Sequence, residues 1–289
     1  MPPRTAEATG ARNRSLRWIL ASDGPNERSL QRRAALIRAA AVLAFLAAWQ
    51  LTASAGLVDP LFVSTPARVA GAMVDLARSP GWWDAFGQTL SELLTAFVVG
   101  TLGGVAVGGA MALSRPLRDA YLGPIEFMLS VPKSVFVPFF ILLFGLGMIS
   151  AAAFGAFSAF FYVVVNLMGG IDLVEDHQRR VAYAYGAGRL QVLTDVVLPA
   201  SLPGLFAALW QGVKHAFGGV LIAELWASRG GIGQLIELYT SQFRAGHVLA
   251  ITLVVALLAI LMGSLWTRME RAVDWRRFEQ RQSARTAAG

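Results

Sequence analysis

Lys133 and Lys214 are the only lysines in this 289-residue chain, and each interrupts a long apolar run. An ammonium group in a low-dielectric layer is costly unless it is paired or faces a polar path. Two chemistries fit. The cations can draw in an anionic solute, or they can pair with carboxylates. Glu126 lies seven residues before Lys133, two helical turns on one face, and Glu224 lies ten after Lys214. The rest of the inventory is thin. Cysteine is absent, which removes thiol nucleophiles, disulfides and thiolate-held metals together. His177, His215 and His247 are 38 and 32 residues apart, without the close spacing of a metal-binding pair. No G-x-x-x-x-G-K-S/T run is present to cradle nucleotide phosphates. Carboxylates are scattered singly, so no catalytic, cofactor-binding or metal-binding residue is expected.

The surroundings of the two lysines are set by composition. Apolar residues make up 55% of the chain and charged residues 15%, against about 25% in soluble domains. Too little charge is available to cover a water-exposed surface, which makes this an all-α integral membrane protein. A span needs about 20 mostly apolar residues in helix, because lipid offers no partner for free backbone groups. Residues 39–58, 93–114 and 245–267 meet that need without a charge. Residues 134–171 are also uncharged, too long for one helix. A helix from about Tyr121, kinked at Pro132 and Pro138, a turn at 145–147 and a second helix over 150–170 resolve the excess. A span over 202–226 carries Lys214 and Glu224. The total is six.

Six spans put both termini on one side. Nineteen arginines fall in residues 1–38, 115–119, 171–200 and 268–289, and four (Arg68, Arg78, Arg229, Arg244) fall in the opposite loops. That asymmetry places the termini and the 171–200 loop in the cytoplasm. The net charge of +7 is therefore membrane orientation, and no nucleic-acid face is expected. Residues 1–38 read as an Arg-rich tail, disordered or interfacial and too long for a signal-peptide n-region. Residues 39–268 are the membrane domain, and 269–289 a second cytoplasmic tail. Gly100, Gly104 and Gly108 form a small-residue face for helix packing. Trp82, Trp83, Trp210, Trp226 and Trp266 fall near span ends, as an interfacial belt requires.

The loop over about 172–200 is more than a connector. Val181, Tyr185, Leu190, Leu193 and Val197 recur at roughly helical spacing, so one face can pack. Gly186 and Gly188 separate two short amphipathic pieces, and Pro199 and Pro203 end the segment. A helix–turn–helix of this size suits docking in another protein's groove. An interfacial helix lying on lipid headgroups is the other reading.

The stretch AYAYGAGRLQVLTDVVLPASLPG, from Ala182 to Gly204, resembles the EAA loop of permeases from binding-protein-dependent ABC importers. Ala182, Gly186, Leu198 and Pro199 fall on that pattern. SVPKSVFVPFFILLFGLG (residues 130–147) and IAEL around Glu224 are similar to signatures of the nitrate, taurine and aliphatic-sulfonate group. Arg180 stands where the motif opens with glutamate, Val181 where it has a small residue, and Lys133 where the group usually has proline or a small residue.

The resemblance implies a type I importer permease fold with a cytoplasmic EAA-type coupling loop. Ala182, Tyr185, Gly186, Ala187, Leu190, Leu198 and Pro199 would couple it to a separate ATPase. Lys133, Lys214 and Glu224 are candidates for the translocation path of a small anion such as a sulfonate, taurine or nitrate, although the group also serves uncharged heterocycles. The implied partners are a second copy of the chain, cytoplasmic ATP-binding subunits that use the ATP, an extracytoplasmic binding protein and the lipid of a bacterial inner membrane. Competing readings are an ion-gradient-driven carrier, which would show paired broken helices, and a membrane-embedded transferase.

Overall fold

The computed structural model describes residues 27–56, 59, 62–174, 176–227 and 229–272. Regular structure among them is helical throughout. The chain divides into two units, Met1–Pro60 and Leu61–Gly289. The described part of the first is one helix, α1 (Glu27–Ser54), of which Arg32–Ser54 is long and apolar enough to cross a membrane. Most of the Arg-rich tail, residues 1–26, and the C-terminal tail beyond residue 272 lie outside the described residues.

In the second unit, Thr65 accepts a hydrogen bond from the Arg68 backbone N–H and opens α2 (Pro66–Arg78), with Pro66 at its first position. Next come α3 (Pro80–Leu113), α4 (Arg115–Ser130), a 3₁₀ turn (Lys133–Phe136), α5 (Val137–Phe144) and α6 (Met148–Asp172). A short α7 (Asp176–Ala184) leads into the pieces Arg189–Gln191, Val192–Val197 (a π turn) and Leu198–Ala200. Helices α8 (Leu202–Ala227), α9 (Ile232–Ser241) and α10 (Ala245–Ala272) complete the chain.

The centre of this unit is α6, clamped between α3 and α8. Lipid tails are as apolar as leucine, so membrane helices gain little by hiding apolar side chains and associate where small residues let backbones approach. Gly100, Gly104 and Gly108 are buried on α3. A Cβ at Gly104 would stand 2.7 Å from the Val163 side chain, and one at Gly100 would stand 2.6 Å from the Ala156 carbonyl oxygen. On the other flank of α6, a Cβ at Gly170 would lie 2.6 Å from the Gly204 Cα. Ala96, Ala156, Ala159, Ala216 and Val220 fill the space between.

Five helices are long and apolar enough to span a membrane, and a sixth crossing results if α4 and the Lys133–Phe144 stretch count as one. That pair departs from the sequence reading. It is not a kinked helix but two helices meeting at 97° across Val131–Pro132. Pro132 has no N–H to continue α4 and instead caps the 3₁₀ turn, while Pro138 sits in the first turn of α5, where a missing N–H costs nothing. Helix α3 also begins 13 residues before the uncharged run, because Glu92 is buried inside the bundle at 0% exposure instead of marking its edge. The helices α2 and α9, on the loops opposite the coupling segment, were not foreseen.

The packing makes a direct prediction. Gly104→Ala should lower stability by about 1–3 kcal/mol through overpacking. Gly71→Ala on α2, where a Cβ meets nothing within 4 Å, should be neutral or slightly stabilising. Thermal melts of both variants in the same detergent check this, and equal melting points would contradict it.

Candidate functional site

The segment between α6 and α8 is an elbow. Helix α7 ends in a Schellman turn: the Ala187 N–H donates to the Ala182 carbonyl at 3.1 Å and the Gly186 N–H to that of Tyr183 at 3.0 Å. The turn needs the left-handed φ of +84° that Gly186 supplies. The Gly188 N–H then donates to the Gln191 side chain at 3.0 Å and starts the second arm. Inside this arm the π turn over Val192–Val197 inserts an extra residue per turn and shifts the helical register. The packed residues are therefore Val174, Val192 and Val197, with Ala182 and Ala187 half-buried against them. Val181, Tyr185 and Leu190, which the periodicity put on the packed face, point outward instead. Tyr185 is 89% exposed and Leu190 67%, and Leu198 is also exposed. Beside the elbow, Arg118 at the start of α4 pairs with Asp172 at the end of α6 at 2.6 Å.

Lys133, Lys214 and Glu224 do not converge. Lys133 lines a cleft of about 370 Å³ opened by the break between α4 and the 3₁₀ turn. Its Nζ lies 4.6 Å from the centre of the Tyr162 ring. The His215 imidazole stacks on the same ring at 3.2 Å, almost parallel to it. Ser158, Gly218 and Gly219 form further parts of the wall. Lys214 is exposed, outside the cleft lining, and lies over Trp210 at 5.5 Å. Among the described residues neither lysine has a carboxylate within ion-pairing distance. Ten residues along α8 put Glu224 about 15 Å from Lys214 on a different face. The 97° bend equally removes the two-turn relation between Glu126 and Lys133.

Glu224 belongs instead to a latch at the far end of α8 from the elbow. It is 1% exposed. The Thr89 hydroxyl donates to one carboxylate oxygen at 2.6 Å and accepts from the Ile232 backbone N–H at 2.8 Å. The Gly233 N–H donates to the other oxygen at 2.7 Å. The carboxyl and the Thr89 hydroxyl thus accept from the first N–H groups of α9, which have no partner within the helix. Gly231 has φ +92°, and a Cβ there would collide with the carboxylate. Glu92 lies beside the cluster and accepts from the Gln88 side chain at 2.8 Å.

The sequence reading missed Ser158, Tyr162, His215, Thr89 and Glu92. The adjacent pairs Lys214-His215, Gly218-Gly219 and Gly230-Gly231 were the available signals.

A helical membrane body with a polar cleft in its bundle and an exposed hinged elbow at one end defines an integral membrane protein of the transport class. Residues 100–276 match the family of binding-protein-dependent transport system inner membrane components, and the chain belongs to that family. It is therefore an ABC importer permease and a multi-pass inner-membrane protein. It is 29% identical over 222 residues to the taurine transport system permease protein TauC of Escherichia coli, covering 75% of this chain and 81% of that one. It is 27% identical to the putative aliphatic sulfonates transport permease SsuC of Bacillus subtilis over 80% of this chain and 84% of that one. It is 28% identical to the riboflavin transport system permease RibX of Chloroflexus aurantiacus over 87% and 95%. The fold is shared with the inward-facing MetNI methionine ABC transporter, at a TM-score of 0.58 and 22% identity over 68% of this chain and 98% of that one.

Thr89→Val keeps the shape of the latch but leaves the Ile232 N–H and a Glu224 oxygen without a partner, a loss of about 1–3 kcal/mol. Hydrogen exchange at Ile232 and Gly233 should accelerate about tenfold or more, and Thr89→Ser should stay near wild type. Unchanged exchange in Thr89→Val would contradict the latch.

Proposed function

We propose that two copies of this chain line a pathway that imports a small anion, with each elbow gripped by a cytoplasmic ATP-binding subunit. An extracytoplasmic binding protein delivers the solute, and both termini lie in the cytoplasm, as the arginine distribution favours. The observation that carries the reading is the elbow. Its inner face is anchored on the α6 end of the core, while Tyr185 and Leu190 stand exposed on either side of the Gly186 turn. Exposed aromatic and aliphatic anchors on a short helical hinge suit insertion into a protein groove.

In the mechanism, the ATP-binding subunits hold and hydrolyse the nucleotide. Their closure draws the two elbows together as rigid bodies. Anchoring of each elbow on α6 transmits that movement to the helices that wall the cleft, and the pathway changes the side to which it opens. The latch holds α9 on α3 and α8 at the other end of the same helices.

Removing residues 182–190 should abolish co-purification with the ATP-binding subunit while leaving membrane insertion intact. Gly186→Val, which forces a β-branched residue into a left-handed turn, should weaken co-purification in the same direction. In sealed right-side-out vesicles, or in proteoliposomes with ATP enclosed, uptake should require ATP and external binding protein and should favour an anionic alkanesulfonate over uncharged riboflavin. Retained ATPase binding without the elbow, or uptake driven by an ion gradient alone, would overturn the proposal.

A further inference from the structure

We propose that the cleft at the Val131–Pro132 break is an anion-binding station, taking the oxoanion head of a solute the size of a short alkanesulfonate, with Lys133, Ser158 and His215 as its polar contacts. This rests on the permease reading and adds to it a location and a ligand chemistry. Lys133 supplies a basic amino head, and among the described residues no carboxylate pairs with it and no acidic residue lines the cleft. Ser158 is 5% exposed, and its hydroxyl opens on the cleft with no hydrogen-bond partner among the described residues. A hydroxyl so far inside a membrane body without a partner is unfavourable until something occupies the space beside it. His215 is held flat against Tyr162, and its ring nitrogens likewise make no hydrogen bond among the described residues. Lys133 lies over that same tyrosine ring, so one aromatic side chain fixes both cationic or donor groups at the wall.

The glycines decide the shape. A Cβ at Gly219 would come within 2.9 Å of the Ser158 hydroxyl and displace it, so only glycine leaves that donor in place. A Cβ at Gly218 meets nothing within 4 Å, because that position faces the open space of the cleft. The volume, about 370 Å³, is near the lower end of the ~300–1,000 Å³ of small-molecule sites. Leu129, Phe154 and Ile222 supply an apolar wall for a short carbon body. A free sulfonate and an anionic lipid headgroup share the chemistry of the head, so the test must separate them.

The absence of cysteine makes that test clean. Gly218→Cys places a single thiol in the chain, in open space. The full transporter carrying it is reconstituted in phosphatidylcholine nanodiscs. It is treated with sulfonatoethyl methanethiosulfonate or its trimethylammonium-ethyl analogue, and the mass of this chain is followed. Relative to their rates with free 2-mercaptoethanol, the anionic reagent should react at least tenfold faster than the cationic one. Added ethanesulfonate should slow it at least threefold. Lys133→Met in the same background should abolish the preference, and Lys133→Arg should retain it. Ser134→Cys, on the exposed rim of the cleft, gives the same reading if Gly218→Cys does not accumulate. Equal or reversed preference, no reaction with either reagent, indifference to Lys133→Met, or protection by phosphatidylglycerol but not by ethanesulfonate would each overturn the proposal. ATP-dependent uptake by the cysteine-free parent transporter in sealed proteoliposomes separates the two claims. Uptake without labelling preference rejects the station alone, and labelling preference without ATP-dependent uptake rejects the proposed anion import alone.

Discussion

Lipid cannot hydrogen-bond a peptide group, so every interruption of a membrane helix has to be compensated within the protein. The structure is organised around three breaks, of which the one at Gly186 lies in the segment between two spans. At Val131–Pro132 the chain turns through 97° and opens a polar cleft against α6 and α8. At Gly186 a Schellman turn closes α7 and points its flanking side chains outward. At Gly230-Gly231 the freed N–H groups of α9 are taken up by Thr89 and Glu224. The second and third breaks are held by named partners, and each of the three carries a feature that an unbroken helix could not present.

What keeps the breaks in register is the α3–α6–α8 core. Its helices meet backbone to backbone at Gly100, Gly104, Gly170 and Gly204, so they leave little room to slide without collision. The elbow is anchored to one end of this core through Val174, Val192 and Val197. The latch is anchored to the other through Thr89, Glu92 and Glu224, and the cleft wall lies on α6 and α8 between them. A displacement imposed at the elbow would therefore pass through packed helices, and the proposed site of substrate contact and the proposed site of force need no direct contact.

Much of this was legible in the sequence. Long uncharged runs and the Gly186–Pro199 spacing report on the bilayer and on a turn chemistry, both of which are local. What was not legible depends on side chains meeting from distant parts of the chain. Glu92 looked like the edge of a span because a single carboxylate interrupts hydropathy whether it is solvated or buried; only its neighbours Gln88 and Glu224 reveal which. The proposed pairings of Lys133 and Lys214 assumed straight helices. A sharp break ended one, and the helical phase of ten residues ended the other. The elbow's outer face was misassigned because the Gly186 turn and the π turn over Val192–Val197 break the single helical register that periodicity assumes; the side chain of Leu193 lies outside the described residues.

The central claim is that a nucleotide-consuming partner moves this membrane body through its elbow, and it can be tested at one side chain. Tyr185→Cys gives a unique, exposed thiol at the tip. In the assembled transporter a short bifunctional maleimide should join it to the ATP-binding subunit, with a yield that changes between nucleotide-free and ATP-bound states. A thiol that instead reacts only with lipid-phase reagents, and never cross-links to that subunit in either state, would contradict the account.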